Sequence, residues 1–187
     1  MKRFSSSQVI NLILPVFRDY GYDGASLTIL SEASGLSRGS LYHHFPGGKQ
    51  EMARVVLSRS GAALARLVMA PLTRAQPAAD RIEAMFDGLE NYYTGDPPVC
   101  LMNSLTLGGG RALFGSEVGA AVMAWRKSLI ATLIQGGMPD SVADSTATAA
   151  IERIQGGLII ARVCGNKSSY YKGLDQLKLD IISRISG

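Results

Sequence analysis

The chain is poor in the residues that build metal centres and covalent frameworks: 187 residues hold two cysteines and two histidines. Cys100 and Cys164 stand far apart in apolar surroundings (PVCLMN and IARVCGN), with no CxxC pair and no metal-type spacing. This argues against a disulfide scaffold or a zinc ribbon, and two buried free thiols in a reducing compartment are expected. The histidines are adjacent, His43 and His44. Neighbouring side chains on a helix point about 100° apart, so the two do not converge on one ion. No third histidine exists and no carboxylate lies near them in sequence. A histidine-based hydrolase would also need a nucleophile and an orienting acid, which sequence proximity does not supply. The expectation is a protein that is not an enzyme and carries no cofactor or metal.

Proline is scarce at seven residues, charged residues make up 18%, and neither internal repeats nor low-complexity tracts are present. Alternating strand-type patterns are rare as well. Lys2 and Arg3 followed by the apolar run Val9 to Phe17 imitate a secretion signal. Asn11 interrupts that run, and Arg18-Asp19 follows it directly where a cleavage site would be needed. No apolar run approaches the length of a membrane span. A soluble, cytoplasmic protein without a membrane partner is expected.

What is plentiful is apolar residues at helical spacing, 47% of the chain overall. The fold class is therefore all-α, with about nine helices. A first helix from about Ser6 to Tyr20 presents Val9, Ile10, Ile13, Val16, Phe17 and Tyr20 on one face, with serines 5 to 7 to cap it and Gly21 to end it. Pro15 inside it removes the bond to the Asn11 carbonyl and predicts a kink. SLTILSEASG then forms a short helix capped by Ser26, with Leu27 and Leu30 inward and Gly35 turning the chain. Ser37 caps a second short helix, Arg38 to His44. Two short helices joined by a tight glycine turn form a helix-turn-helix, whose second helix can enter a major groove. A long helix follows from about Lys49 to Met69, and five more cover roughly residues 78–93, 100–107, 115–135, 141–164 and 168–185, separated by TGDPP, GGG, GGMPD and GNK.

Charge supports the same use of the N-terminal part. The stretch from Met1 to Arg66 holds 8 Lys/Arg against 4 Asp/Glu, whereas the rest holds 11 against 11. The whole excess sits beside the helix-turn-helix, as a polyanionic partner requires. Each residue of LSRGSLYHHFPGGKQEM then has a task. Arg38 can fork onto guanine or pair with a phosphate, and Gly39 lets the backbone come close. Ser40 can donate to a phosphate oxygen, while Leu41 fixes the helix on its neighbours. Tyr42 offers a hydroxyl for phosphate and a ring for a thymine methyl, and His43 and His44 extend this surface, one outward and one partly inward. Gly47-Gly48 is expected to leave open N–H groups at the start of the next helix, with Lys49 adding positive charge there.

These pieces carry a resemblance. FRDYGYDGAS, LSEASGLSRGSLYHHFPGGKQEM and the apolar face of the first helix look like the N-terminal domain of TetR-family transcriptional repressors, and GSLYHHFPGGKQE is similar to the LmrA/YxaF-like branch. The likeness implies a DNA-binding domain over residues 1–50 and a ligand-sensing and dimerisation domain over 51–187. It implies DNA contact at Ser37, Arg38, Gly39, Ser40, Tyr42, His43 and Lys49. It also implies a homodimer formed by the last two long helices, and release from a double-stranded operator by a small effector. Pro15 departs from the family's pattern. So does Thr28, at a position where the family often carries Arg or another polar residue.

The remaining two-thirds fits dimerisation and sensing. AAIERIQGGLIIARVCG is apolar round much of its circumference with small residues for close approach, so it must be buried on more than one side. Soft and aromatic side chains with sparse polar anchors describe a lipophilic pocket, for which Phe86, Tyr92, Met102, Asn103, Met123, Trp125 and Gln155 are the candidates. The rival to an operator-binding repressor is a helical dimeric module whose basic head contacts a protein or RNA.

Overall fold

The computed structural model describes residues 4 to 185, so Lys2 and Arg3 of the signal-like stretch lie outside the described residues. Among the described residues there are helices and no strands. The chain divides into two compact units that do not follow chain order: Met1–Gly61 with Cys100–Gly119, and Ala62–Val99 with Ala120–Gly187.

The first unit begins with α1, Ser6–Gly24. Ser5 closes a capping box with Gln8: its hydroxyl accepts from the Gln8 N–H at 3.3 Å, and its own N–H donates to the Gln8 side chain at 2.8 Å. Val9, Ile13, Val16 and Phe17 are buried as the periodicity requires. Tyr20, expected on that face, is instead 58% exposed. Helical dihedrals continue through Pro15, and the break falls at Gly21, where φ is +67°. A Cβ there would lie 2.7 Å from the Ser104 carbonyl oxygen. The remaining elements of this unit are α2, Leu27–Ser34, α3, Arg38–His44, and the start of α4, Gly48–Leu64. The short α6, Leu101–Leu105, and the first turns of α7, Gly110–Gln135, complete it.

The C-terminal end of α1 meets α6 and the elbow before α7 through polar contacts to backbone and an aromatic pair. Ser104 donates its hydroxyl to the Arg18 carbonyl at 2.7 Å. The Gly109 N–H donates to the Asp23 carboxylate at 2.7 Å. Tyr22 meets Phe114 edge to face, with centroids 5.4 Å apart. Gly110, expected in a loop, is the first residue of α7, and a Cβ on it would come within 1.9 Å of the Leu105 carbonyl oxygen.

The second unit begins where α4 ends. The chain of α4 continues through a π turn, Ala65–Met69, and a 3₁₀ turn, Ala70–Thr73, before α5, Ala78–Tyr92. The rest of α7, then α8, Asp140–Cys164, and α9, Lys167–Ile182, follow. Its interior is apolar: Met85, Phe86, Leu89, Trp125, Leu129 and Leu133 are fully or almost fully buried. Gly88 lets α5 press on the chain after α4, since a Cβ there would lie 1.9 Å from the Leu67 carbonyl oxygen. Arg81 is buried to 7% exposure and donates to the Leu72 carbonyl at 3.1 Å and the Gln135 side chain at 2.7 Å.

Two expectations need correction here. Cys100 is buried, but Cys164 at the end of α8 is exposed, because that end of the helix reaches solvent at Gly165. One helical segment, Gly48–Thr73, is long and apolar enough by composition to cross a membrane, with mean hydropathy 1.4 over 18 residues. Leu57, Leu64, Val68 and Leu72 within it are buried in the protein, which is the pattern of a core helix.

Candidate nucleic-acid interface

Two serine caps shape the candidate interface. Ser26 accepts from the Ile29 N–H at 3.2 Å and starts α2; Ser37 accepts from the Ser40 N–H at 3.1 Å and starts α3. Between them Gly35, at φ +66°, supplies the left-handed turn. Leu30 and Leu41 are wholly buried and pin the two helices from below. Phe45, also buried, stops α3. Burial of Leu41 fixes which side of α3 faces out, because residues one position away on a helix point elsewhere.

On that outer side lie most of the residues expected to read DNA. Ser37, Arg38, Gly39 and His43 are exposed, and Tyr42 is 46% exposed. Ser40 is half-buried, its hydroxyl 2.9 Å from that of Ser37. His44 turns partly inward, with Nδ1 3.4 Å from the Ser6 hydroxyl. Gly39 has no steric reason within the protein to be glycine: the nearest atom a Cβ would meet is the Ser37 hydroxyl at 3.9 Å.

The start of α4 departs from expectation. The Gly47 N–H donates to the Glu51 carboxylate at 2.6 Å and the Gly48 N–H to the Phe45 carbonyl at 2.9 Å, so neither is open to an incoming phosphate. The glycine at 48 has a different role: φ is +64°, and a Cβ there would press within 3.1 Å of the Tyr42 ring. Lys49 is half-buried, with its ammonium donating to the Tyr22 carbonyl at 3.0 Å and lying 4.5 Å from the Tyr22 ring centroid. An ammonium has three donors, so that bond positions the charge without exhausting it.

A helix-turn-helix of this make, with its second helix outward and its charge excess on the same segment, is the geometry of a groove reader. The model of the tetR family of bacterial regulatory proteins matches residues 10–56, which span α1 through the first half of α4. The transcriptional regulator YxaF of Bacillus subtilis is 24% identical over 168 residues, 84% of this chain and 84% of its own. Residues 10–56 therefore form an N-terminal domain of the TetR kind. LmrA, another transcriptional regulator of B. subtilis, is 24% identical over 169 residues, 88% of this chain and 89% of its own. The TetR fold extends through the whole chain: a cysteine double mutant of the TetR-family regulator CifR, complexed with 26-base-pair operator DNA, superposes with a TM-score of 0.76 at 22% identity, covering 96% of this chain and 98% of that one. With a DNA-binding domain of this kind, the protein is a DNA-binding transcriptional regulator.

The residues expected to line an effector pocket are divided between the two units. Met102 and Asn103 belong to the first compact unit, and the other five to the second. In the second unit Phe86 and Trp125 are buried, Trp125 donating its indole N–H toward the Met85 sulfur at 3.5 Å. Tyr92 and Gln155 are half-buried near Tyr93, with the Tyr92 ring 4.7 Å from that of Tyr93 and the Gln155 amide 3.5 Å from its hydroxyl. Met123 is 57% exposed. Sequence reasoning missed Tyr22 and Asp23, whose partners lie far along the chain.

The α8–α9 pair carries the most apolar exposed surface. Ile159, Ile160, Val163 and Leu179 are 55–77% exposed. Beside them a groove of about 200 Å³ runs between the two helices, lined by Gly157, Ile160, Tyr170, Gly173, Leu174 and Leu177 among others.

Proposed function

We propose that the protein is a ligand-responsive repressor that binds a palindromic operator as a homodimer. The observation that carries the operator reading is the outward face of α3. Arg38 and Tyr42 stand exposed, and Gly39 is a glycine the fold does not require. Glycine inside a helix costs roughly 0.5–1 kcal/mol relative to alanine. With no internal reason for that cost, close approach of a partner's backbone accounts for it. In this reading Arg38, Gly39, Tyr42 and His43 enter the major groove. Ser37, Ser40 and Lys49 hold phosphates at its edge.

The exposed isoleucine and valine side chains of α8 and the groove beside α9 support pairing of two copies through this face. A twofold pair would set the two α3 helices about 34–36 Å apart, one turn of DNA. A lipophilic effector would lodge in the second unit near Phe86, Tyr92, Trp125 and Gln155. It would release DNA only by favouring one arrangement of the dimer over another.

In vitro selection of bound genomic DNA tests the reading. A recovered palindrome supports it, and random recovery overturns it. Binding should also weaken steeply with salt, from the phosphate contacts, so a flat log-log plot of affinity against salt counts against it. Lipophilic compounds are then screened for release of the selected site.

A further inference from the structure

Arg38 sits in an unfavourable place for a cation. It is the first residue of α3, and the first turn of a helix repels positive charge. Its neighbour across the turn, Thr28, lies in the first turn of α2. Among the described residues no carboxylate pairs with Arg38; its one hydrogen-bond partner is neutral, the Thr28 hydroxyl, which accepts from Nη2 at 2.7 Å. Both side chains are exposed. A charge with no counter-ion, set where the local field opposes it and fastened by a neutral oxygen, is poised for an acceptor that arrives from outside.

The Thr28 oxygen is well suited to fastening. Ser26 already caps α2, so Thr28 is not needed as a cap. Its methyl restricts the side-chain torsion and so narrows the directions in which the oxygen can point. A guanidinium has five donors in a planar fork, and Thr28 takes one of them. The remaining edge can still present two parallel N–H groups, the arrangement that matches O6 and N7 of guanine. An unfastened arginine would pay rotamer entropy on binding and would reach phosphates and bases alike.

We infer that Thr28 is a positioning residue for sequence reading: it holds the Arg38 guanidinium so that Arg38 reads a guanine in the major groove instead of a phosphate. The inference rests on the operator reading above. It gives Thr28 a role through Arg38, with no DNA contact of its own required.

The test measures binding of the full-length protein to the operator selected by the wild type, and to all its single-base-pair variants. Arg38→Ala should flatten the preference at one G·C pair per half-site by about 5- to 100-fold, leaving the other positions unchanged. Thr28→Val keeps the shape but removes the acceptor, and should lose about 3- to 10-fold of the preference at that same base pair. Its salt slope should stay that of the wild type, whereas loss of a phosphate contact would lower the slope by about one. Thr28→Ser should restore most of the preference. Thermal unfolding of each variant checks that the fold is intact. Wild-type preference in Thr28→Val, a loss spread evenly over all sequences, or a Thr28→Ser variant as deficient as Thr28→Val each overturn the inference. A wild type that selects no sequence overturns the operator reading itself, so the two failures are distinguishable.

Discussion

Both compact units bury an apolar core, and they differ in where their polar contacts to backbone fall. In the first they gather where α1 meets the α6–α7 elbow, Ser104 on the Arg18 carbonyl and Asp23 on the Gly109 N–H, with Lys49 of α4 on the Tyr22 carbonyl beside them. In the second they are spread, Arg81 and Thr132 on the Leu72 carbonyl and Tyr171 on the Tyr93 carbonyl, around an interior in which Met85, Phe86, Trp125 and Leu129 are buried. Apolar packing tolerates substitutions that keep volume, while a polar contact to backbone demands one atom in one place. A unit that must present a reading helix in one orientation gains from the second kind.

The largest effect should come from the exposed face of the second unit. Changing Ile160 and Val163 together to Asp should give a folded monomer by light scattering and at least a hundredfold weaker operator binding, because two half-sites would no longer be engaged as one. A dimer that survives with full affinity would remove the proposed role of this face.

The next test asks whether both units tolerate crowding equally. Gly110→Ala in the first and Gly88→Ala in the second each push a methyl to within 1.9 Å of a backbone oxygen. Each should cost on the order of 3 kcal/mol, read as a lower Tm. Amide exchange would show the loss confined to the unit changed, and protection lost equally in both would show a single cooperative body instead.

Smaller effects are expected on the reading face. Tyr42→Ala should weaken operator binding about tenfold without lowering Tm, since the ring is half exposed. Gly39→Ala should do two opposite things: stabilise the fold by about 0.5–1 kcal/mol and weaken operator binding. Unchanged affinity in Gly39→Ala would mean that no backbone approach occurs there.

The helix-turn-helix was legible because its signals are local. Serine caps at 26 and 37, the Gly35 turn and the Leu41 anchor all act within a few residues of where they stand. The same locality makes the misreading of Gly47 instructive. Its N–H looked open, yet Glu51, only four residues on, fills it. The position of Asp23 was not legible, because the N–H it binds lies 86 residues away. The run of glycines at 108–110 hinted at crowding but did not name the crowding partner. Tyr20 was misplaced for a simpler reason: helical spacing says which residues share a face, not whether that face is covered.

The elbow also sets a condition on re-engineering. Anyone grafting this reading head onto another protein would naturally cut after α3 or within α4. Such a graft would leave behind residues 100–119, which supply the seats for Gly21, Tyr22 and Asp23. A transplant that works has to carry two separate pieces of sequence, and the recipient must accept both.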